Sequence, residues 1–175
     1  MLLAQANLGI CYAKRDDDHR AAEVNARTLA QARELGYNFV QVGVATRLAN
    51  NLVDLGRPQE ALDVLEDNPD AQPDQENVLE PARRSVIRAR SLHALGRSEQ
   101  AAQEARDLVE SLSTTSLHAV QAEALEVLSD TELAAGHQSA GERHRAQAIA
   151  LFLAVGQDEP ARRLSRVFLH SDVQE

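Results

Sequence analysis

The sequence predicts an all-α protein built as a solenoid of stacked helix pairs. The first observation is a repeat of 40 residues, in which Gly56, Gly96 and Gly136 recur within a matching frame of apolar and small residues. A fixed period in this range is typical of stacked supersecondary units. The second observation is composition: Ala, Leu, Glu, Gln and Arg dominate, and all of them favour helices, whereas aromatic residues make up only 3%.

The first four helices follow from apolar spacing and from the residues that interrupt it. We predict helices at about 2–14, 18–35, 39–55 and 58–67. The run Asp16–Asp18 breaks the first helix and can cap the second. Gly36 is the expected stop of the second helix, and Asn38 can cap the third, which Gly56 ends. Pro58 then suits the first turn of the fourth helix, where its missing N–H costs nothing.

The second half of the chain follows the same pattern after a clear loop at 68–74. The fifth helix ends before Gly96, but its start stays open because Pro81 can either open it or kink it. We then predict helices at about 98–113, 117–135, 139–155 and 158–170, the last opened by Asp158–Pro160. This makes four helix pairs and one extra helix in a single domain over 1–171, followed by a frayed tail at 172–175.

Composition narrows the functional classes. The net charge of −9 argues against a general nucleic-acid binder, which needs a basic face. Cys11 is the only cysteine, so no disulfide framework or thiolate metal site is expected, and a buried inert thiol is favoured. No apolar run reaches membrane-spanning length and no signal peptide is evident, which predicts a cytoplasmic protein. The histidines form no metal-binding motif, so we expect no metal, no cofactor and no catalytic residue.

The repeat frame can be aligned over four copies: Leu8-Gly9-Tyr12-Ala21, Leu48-Ala49-Leu52-Gly56-Ala61, Ala89-Leu92-Gly96-Ala101 and Leu128-Ser129-Gly136-Gly141. This frame resembles the tetratricopeptide-repeat (TPR) family, in particular the long repeats of bacterial regulators and signalling proteins. The resemblance implies a right-handed α-α superhelix. The period of 40 exceeds the usual value of about 34, and Arg88 and Glu132 occupy positions where the pattern has apolar residues.

The resemblance also implies that the first helix of each pair lines a concave groove. Groove-facing positions would be Leu3, Ala6, Ile10 and Ala13; Gly43, Thr46, Asn50 and Val53; Arg83, Val86, Arg90 and His93; Glu123, Glu126, Asp130 and Leu133; and Arg163, Arg166 and His170. Polarity then changes along the groove. One end is apolar, the middle combines Asn50 with Arg83, Arg90 and His93, and the far end is acidic, with Glu126 and Asp130.

Asn50 and Arg90 are the first candidates for anchoring a ligand. An Asn side chain can pair with the backbone of an extended peptide, and Arg suits a carboxylate. Together they could hold a peptide with an acidic group or a free C-terminus. The alternative is that Arg83 and Arg90 pair with Glu123, Glu126 or Asp130 across the groove, because surface ion pairs are common and individually weak.

These features predict a non-catalytic scaffold that binds a protein or peptide in its groove. The alternative is a sensory or regulatory TPR module of a bacterial transcriptional regulator or signalling protein, with the effector domain outside this chain. An enzyme is disfavoured. The apolar first helix, with Leu3, Ala6 and Ile10, suggests either a missing N-terminal partner domain or a homodimer, because a terminal repeat normally needs a polar outer face. The other reading is simple exposure of a few small apolar residues.

Overall fold

The computed structural model describes residues 2–69 and 78–171, apart from the side chains of 167–171, and this part of the chain is all-helical. Its nine helices are α1 (Leu2–Ala13), α2 (Asp18–Glu34), α3 (Asn38–Asp54), α4 (Pro58–Glu66), α5 (Leu79–Ala94), α6 (Ser98–Leu112), α7 (His118–Ala134), α8 (Gln138–Ala154) and α9 (Asp158–Ser171). The all-α prediction is confirmed, with helix bounds within a residue or two of those expected. None of these helices is long and apolar enough to cross a membrane.

The repeating glycines end helices, as the spacing predicted. Gly56 and Gly136 have φ angles of 71° and 80°, in the left-handed region that residues with a Cβ rarely adopt. The N–H that follows each glycine bonds back to the helix: Arg57 N lies 2.8 Å from Leu52 O, and His137 N lies 2.9 Å from Glu132 O. These bonds satisfy carbonyl groups that the end of a helix would otherwise leave unpaired.

The helix starts confirm two predicted signals and correct a third. Asp17 caps α2, its carboxylate accepting a hydrogen bond of 3.2 Å from Arg20 N, and Pro58 occupies the first turn of α4. Asn38 does not cap α3, because it is already the first helical residue after Tyr37. Pro81 lies in the first turn of α5, which begins two residues earlier at Leu79, so it belongs to the opening turn and not to the helix interior. N–H groups of a first turn have no intrahelical partner, and proline is therefore tolerated there.

The chain forms two compact units, of which unit 1 spans Met1–Leu95. Within it each helix packs on the next, and α3 also contacts α1 and α5. Its core has fully buried small residues where helices approach closely, such as Ala45, Ala49 and Ala61, with Leu52 filling the layer beside them. The frame of small and large residues is thus a packing pattern, with small residues permitting the approach.

A partly buried chain of polar side chains joins α2 to α3 in unit 1. Asn25, 1% exposed, donates a hydrogen bond of 2.9 Å to Asn51, which donates one of 3.2 Å to Asp18. Gly9 leaves room for this chain, because a Cβ at that position would collide with the Asn25 amide. The small residue in the first copy of the frame therefore accommodates a polar side chain.

The end of α4 is held by an arginine from α5. The Arg84 guanidinium, 8% exposed, donates from Nη2 to Leu65 O at 2.8 Å and to Asn68 O at 2.7 Å. Asn68 Nδ2 donates to Val64 O at 2.7 Å. A cationic donor at the C-terminus of a helix satisfies its last carbonyls and matches its dipole. Asn68 and Pro69 end the helix as the predicted loop requires, and positions 70–74 of that loop lie outside the described residues.

Unit 2 spans Gly96–Glu175, and its helices α6 to α9 pack each on the next. Its core centres on Phe152, 1% exposed, with Leu125, Ala148 and Leu164 around it. At Gly141 the backbone of α8 comes close to α7. The single domain over 1–171 stays a prediction, and the tail at 172–175 lies outside the described residues.

Two expectations about α1 are wrong. Cys11 is exposed rather than buried, and Ala6 is 4% exposed rather than part of an open apolar face. The reason is that α1 packs on α2 and α3 through Ala6 and Gly9, which leaves Cys11 on another side of the helix. Leu3, at 67% exposure, remains an open apolar residue, and Ile10 is half-buried.

Candidate functional site

The structure brings the two predicted anchors of unit 1 together. Arg90 on α5 donates from Nη1 to Asn50 Oδ1 at 2.9 Å and from Nη2 to Asp54 Oδ1 at 2.6 Å. Asn50 in turn donates to Asp54 Oδ2 at 3.0 Å. The Arg90 and Asp54 side chains are 35% and 31% exposed, so the triangle lies at the surface. It joins α3 to α5 through positions one repeat apart.

This arrangement leaves hydrogen-bonding capacity for a ligand. A guanidinium has five N–H donors, and an Asn amide has two donors and two acceptor lone pairs, so each group keeps unused sites. A ligand carboxylate at Arg90 would have to share the guanidinium with Asp54. Asp54 was missed at the sequence level, although it lies four residues after Asn50 and therefore one turn further along the same helix face.

Arg83 and His93 flank this triangle along α5. Arg83 is exposed, and no hydrogen bond or ion pair joins it to the described residues of unit 1. Its charge is close enough to act on Arg47, whose pKa is lowered first by burial, with Glu80 opposing the shift and Arg83 adding to it. His93 is half-buried, and its Nδ1 has no partner in the described residues. Unit 1 therefore presents Arg83 as an available cation beside an engaged one, Arg90.

Some predicted groove residues cannot meet a ligand. Thr46 and Val86 are only 4% and 2% exposed, like Ala6. They are covered because adjacent first helices pack directly on each other, α1 on α3 and α3 on α5. Thr46 also lies 3.5 Å from Arg84 Nη1. The repeat spacing predicted accessible positions, but these side chains lie at the contacts between helices.

The acidic candidates of unit 2 each have an arginine partner. Glu126 on α7 accepts two hydrogen bonds from Arg163, at 2.6 and 3.0 Å, and these bonds raise the pKa of Arg163. Asp130 lies 3.5 Å from Nη2 of Arg145, a residue only 7% exposed. Arg163 was itself a predicted groove residue, and the structure places it beside Glu126. This part of unit 2 is therefore a set of ion pairs rather than a bare acidic surface.

The predicted pairing of Arg83 or Arg90 with acidic groups across the groove stays a prediction. The partners described above for Arg90 are Asn50 and Asp54, in its own unit. Two further predicted groove residues lie on α9. Arg166 interacts with another residue, and the side chain of His170 lies outside the described residues.

Glu132 occupies one of the two repeat positions where the pattern has an apolar residue, and the structure shows how its charge is accommodated. Its carboxylate is 2.6 Å from His137 Nδ1 and 3.7 Å from the Arg106 guanidinium, with 16% of the side chain exposed. The hydrogen bond with His137 is the main cause that lowers the pKa of Glu132. His144 lies in the same surroundings, and burial lowers its pKa. The other irregular position, Arg88, is exposed, so its side chain is not forced into a core.

Within the residues that the structure describes, no three His, Cys, Asp or Glu side chains are grouped as a metal site. No protein-family model matches this chain, and no curated protein sequence matches it either. The resemblance to the TPR family therefore depends on the residue frame alone.

Proposed function

We propose that this chain is a TPR-like, right-handed solenoid that binds a protein or peptide through the exposed polar residues of its first helices. The observation that carries the proposal is the agreement between the repeat of 40 residues and the helix ends. Each repeated glycine follows a helix and adopts a positive φ angle. Solenoids of this kind present extended surfaces suited to binding, so the proposed mechanism is recognition without catalysis.

The local chemistry of unit 1 supports a ligand with a carboxylate. Arg83 offers a solvent-accessible guanidinium on α5. Arg90 lies further along α5 and bonds to Asn50 of α3, and Asp54 holds both side chains in place. Guanidinium groups bind carboxylates through paired, charge-assisted hydrogen bonds. A peptide lying along α5 could thus place an acidic side chain or its C-terminus at Arg83 and its backbone amides near Asn50. A reducing compartment such as the cytoplasm would suit the exposed thiol of Cys11.

A peptide-display screen tests this proposal. The immobilised full chain is challenged with a library of random peptides that carry free C-termini, and the enriched peptides are synthesised for titration. We expect enrichment of acidic peptides or of particular C-terminal residues. We also expect Arg83→Glu to weaken their binding about ten-fold, because it replaces a charge-assisted bond with repulsion.

The matched control is Arg27→Glu on α2, an exposed arginine whose reversal changes the net charge by the same amount. Binding that falls equally in both variants would mean that only overall charge matters, and the site assignment would be lost. A screen that enriches no peptide would remove the peptide-binding proposal itself. Arg90→Glu is the second variant, and circular dichroism checks that it remains helical, because Arg90 also joins α3 to α5.

A further inference from the structure

Unit 1 contains an open cleft that the sequence did not reveal. It has a volume of about 410 Å³ and lies between α2 and α4, with α3 beneath. The lining residues form three groups, one from each helix and the turns beside it. Helix α2 contributes His19, Ala22, Glu23 and Ala26. Helix α3 and the residue after it contribute Leu48, Leu52 and Leu55, and α4 with the residues at its two ends contributes Arg57, Glu60, Asp63, Val64 and Asp67. Spacings of three and four residues put each group on one face of its helix.

The cleft is open because its two walls do not close on each other. Helices α2 and α4 both pack on α3, and their backbones do not approach each other closely in the described residues of unit 1; Arg33 of α2 donates to Asn68 Oδ1, beyond the end of α4, at 3.2 Å. The α2 wall presents His19, Ala22, Glu23 and Ala26 to the cleft, so its apolar side chains there are the small ones of Ala22 and Ala26. The floor consists of Leu48 and Leu52, 7% and 4% exposed, and of half-buried Leu55.

The rim of the cleft is acidic. Glu60 is neutralised by Arg57, which holds it with hydrogen bonds of 2.7 and 2.6 Å. Three further carboxylates remain on the rim. Glu23 is 3.6 Å from the highly exposed Arg27, and Asp63 accepts only a neutral hydrogen bond from Gln59. The third is exposed Asp67, at the end of α4. The cleft therefore combines an apolar floor with a negative field above it.

We propose that this cleft binds a short basic amphipathic helix from a partner protein. A large aliphatic side chain of the partner would lie on half-buried Leu55 and Val64, and lysines or arginines one turn away would reach Glu23 and Asp63. This is the way in which an amphipathic helix generally enters an apolar groove, with anchors spaced three or four residues apart. The nine residues of α4 extend for about 13 Å, which limits contact to two or three turns of the partner.

The net charge of the protein favours a basic helix, and not a second copy of the chain, as the partner that binds in the cleft. The protein carries a net charge of −9, so docking one copy on another would bring two molecules of like net charge together. Like charges across an interface suppress association, whereas opposite charges favour it and speed encounter. Because the cleft is small, the partner would bury little surface there. We therefore expect a dissociation constant of about micromolar size, as in transient contacts. The cleft involves none of the groove residues proposed above, so either proposal can fail without the other.

A model peptide tests the cleft directly. The probe is a fluorescein-labelled helix of leucines and lysines placed so that all leucines share one face, titrated with the full chain and followed by anisotropy. We expect saturable binding, and we expect Glu23→Lys combined with Asp63→Lys to weaken it about ten-fold. Glu99→Lys combined with Glu110→Lys is the matched control, because it reverses two exposed carboxylates of α6 and changes the net charge equally.

A second variant places a larger side chain in the space above the floor of the cleft. Ala26 is exposed, so Ala26→Phe can be accommodated in the folded protein while it occupies the space above the leucines. We expect it to weaken the probe about five-fold or more, with an unchanged circular dichroism spectrum. The proposal is overturned if the probe does not saturate, if the α6 control weakens binding as much as the cleft variant, or if Ala26→Phe has no effect.

Discussion

The two units use the same helical frame, and an informative difference between them lies four residues before the repeated glycine. In unit 1 this position is Leu52, which is 4% exposed and forms the floor of the open cleft. In unit 2 it is Glu132, whose carboxylate is bound by His137 and Arg106. The neighbours differ to match. Arg106 occupies the place in α6 that Ala26 has in α2, and His137 corresponds to Arg57.

The comparison shows that an irregular repeat residue need not mean a damaged repeat. Glu132 departs from the apolar pattern, yet its partners come from the turn after α7 and from α6, so the charge is compensated locally. Unit 1 has alanine where unit 2 has Arg106, and its apolar floor remains accessible. The same backbone frame therefore yields an open apolar cleft in one unit and a cluster of paired charges in the other.

The largest expected effect comes from placing the unit 2 residue in unit 1. Leu52→Glu would bury a carboxylate on a floor of leucines, where alanine stands in place of Arg106 and Arg57, in the place of His137, is already engaged by Glu60. We expect a loss of about 3 kcal/mol or more in the free energy of unfolding, because an uncompensated buried charge is strongly destabilising. Urea unfolding followed by circular dichroism measures it.

The reciprocal change is the control. Glu132→Leu removes a partly exposed ion pair and places an apolar residue where the repeat pattern expects one, so we expect a change of less than about 1 kcal/mol. Equal losses in the two variants would contradict the idea that the neighbours, rather than the position, determine which residue is tolerated.

We expect a change in stability of intermediate size at the tight contact between α7 and α8 in unit 2. A Cβ at Gly141 would lie 2.5 Å from Leu133 Cγ and 3.1 Å from Ser129 O, whereas the corresponding residue of unit 1, Ala61, is accommodated and fully buried. Gly141→Ala gains helix propensity but forces α7 and α8 apart, so we expect a net loss of about 1 kcal/mol. Hydrogen exchange should then rise in α7 and α8 and not in α3. A gain in stability would show that Leu133 can move aside without cost.

The smallest expected effects depend on pH and have opposite signs in the two units. Burial, followed by repulsion from Asp54, raises the pKa of Asp18 above 3.8. The folded state then holds this proton more tightly than the unfolded state, so stability falls as pH rises through the raised pKa. The hydrogen bond with His137 lowers the pKa of Glu132 below 4.5. Its stabilising contribution is therefore complete above pH 4.5 and is lost as pH falls through the lowered pKa.

Two isosteric variants separate these contributions. Asp18→Asn should remove the decline in stability above pH 3.8, and Glu132→Gln should remove part of the loss below pH 4.5. Urea midpoints between about pH 3 and about pH 7 measure both. The contrast between the units would be refuted if the two variants changed the pH profile in the same direction.

Much of the helical organisation follows from local signals. Gly56 and Gly136 ended helices as predicted because only a left-handed residue can make the closing turn, and Asp17 capped α2 because its carboxylate reaches the first free N–H groups. Asn38 was misassigned by one residue because a capping residue type can also begin the helix itself. Asn50 and Arg90 were expected close to each other from their equal places in adjacent repeats, but their direct hydrogen bond and the part played by Asp54 were not predicted.

The sequence by itself thus determined the helix count, the turns and the spacing of small and large residues, since these depend on backbone conformation and local periodicity. Only the tertiary structure decided which side chains are exposed. Cys11, Thr46 and Val86 were misplaced because exposure depends on which neighbouring helix covers a face, and helical periodicity cannot fix that rotation alone. The cleft beside Leu52 likewise exists because α2 and α4 both pack on α3 without a close approach of their backbones, a relation between helices distant in the chain.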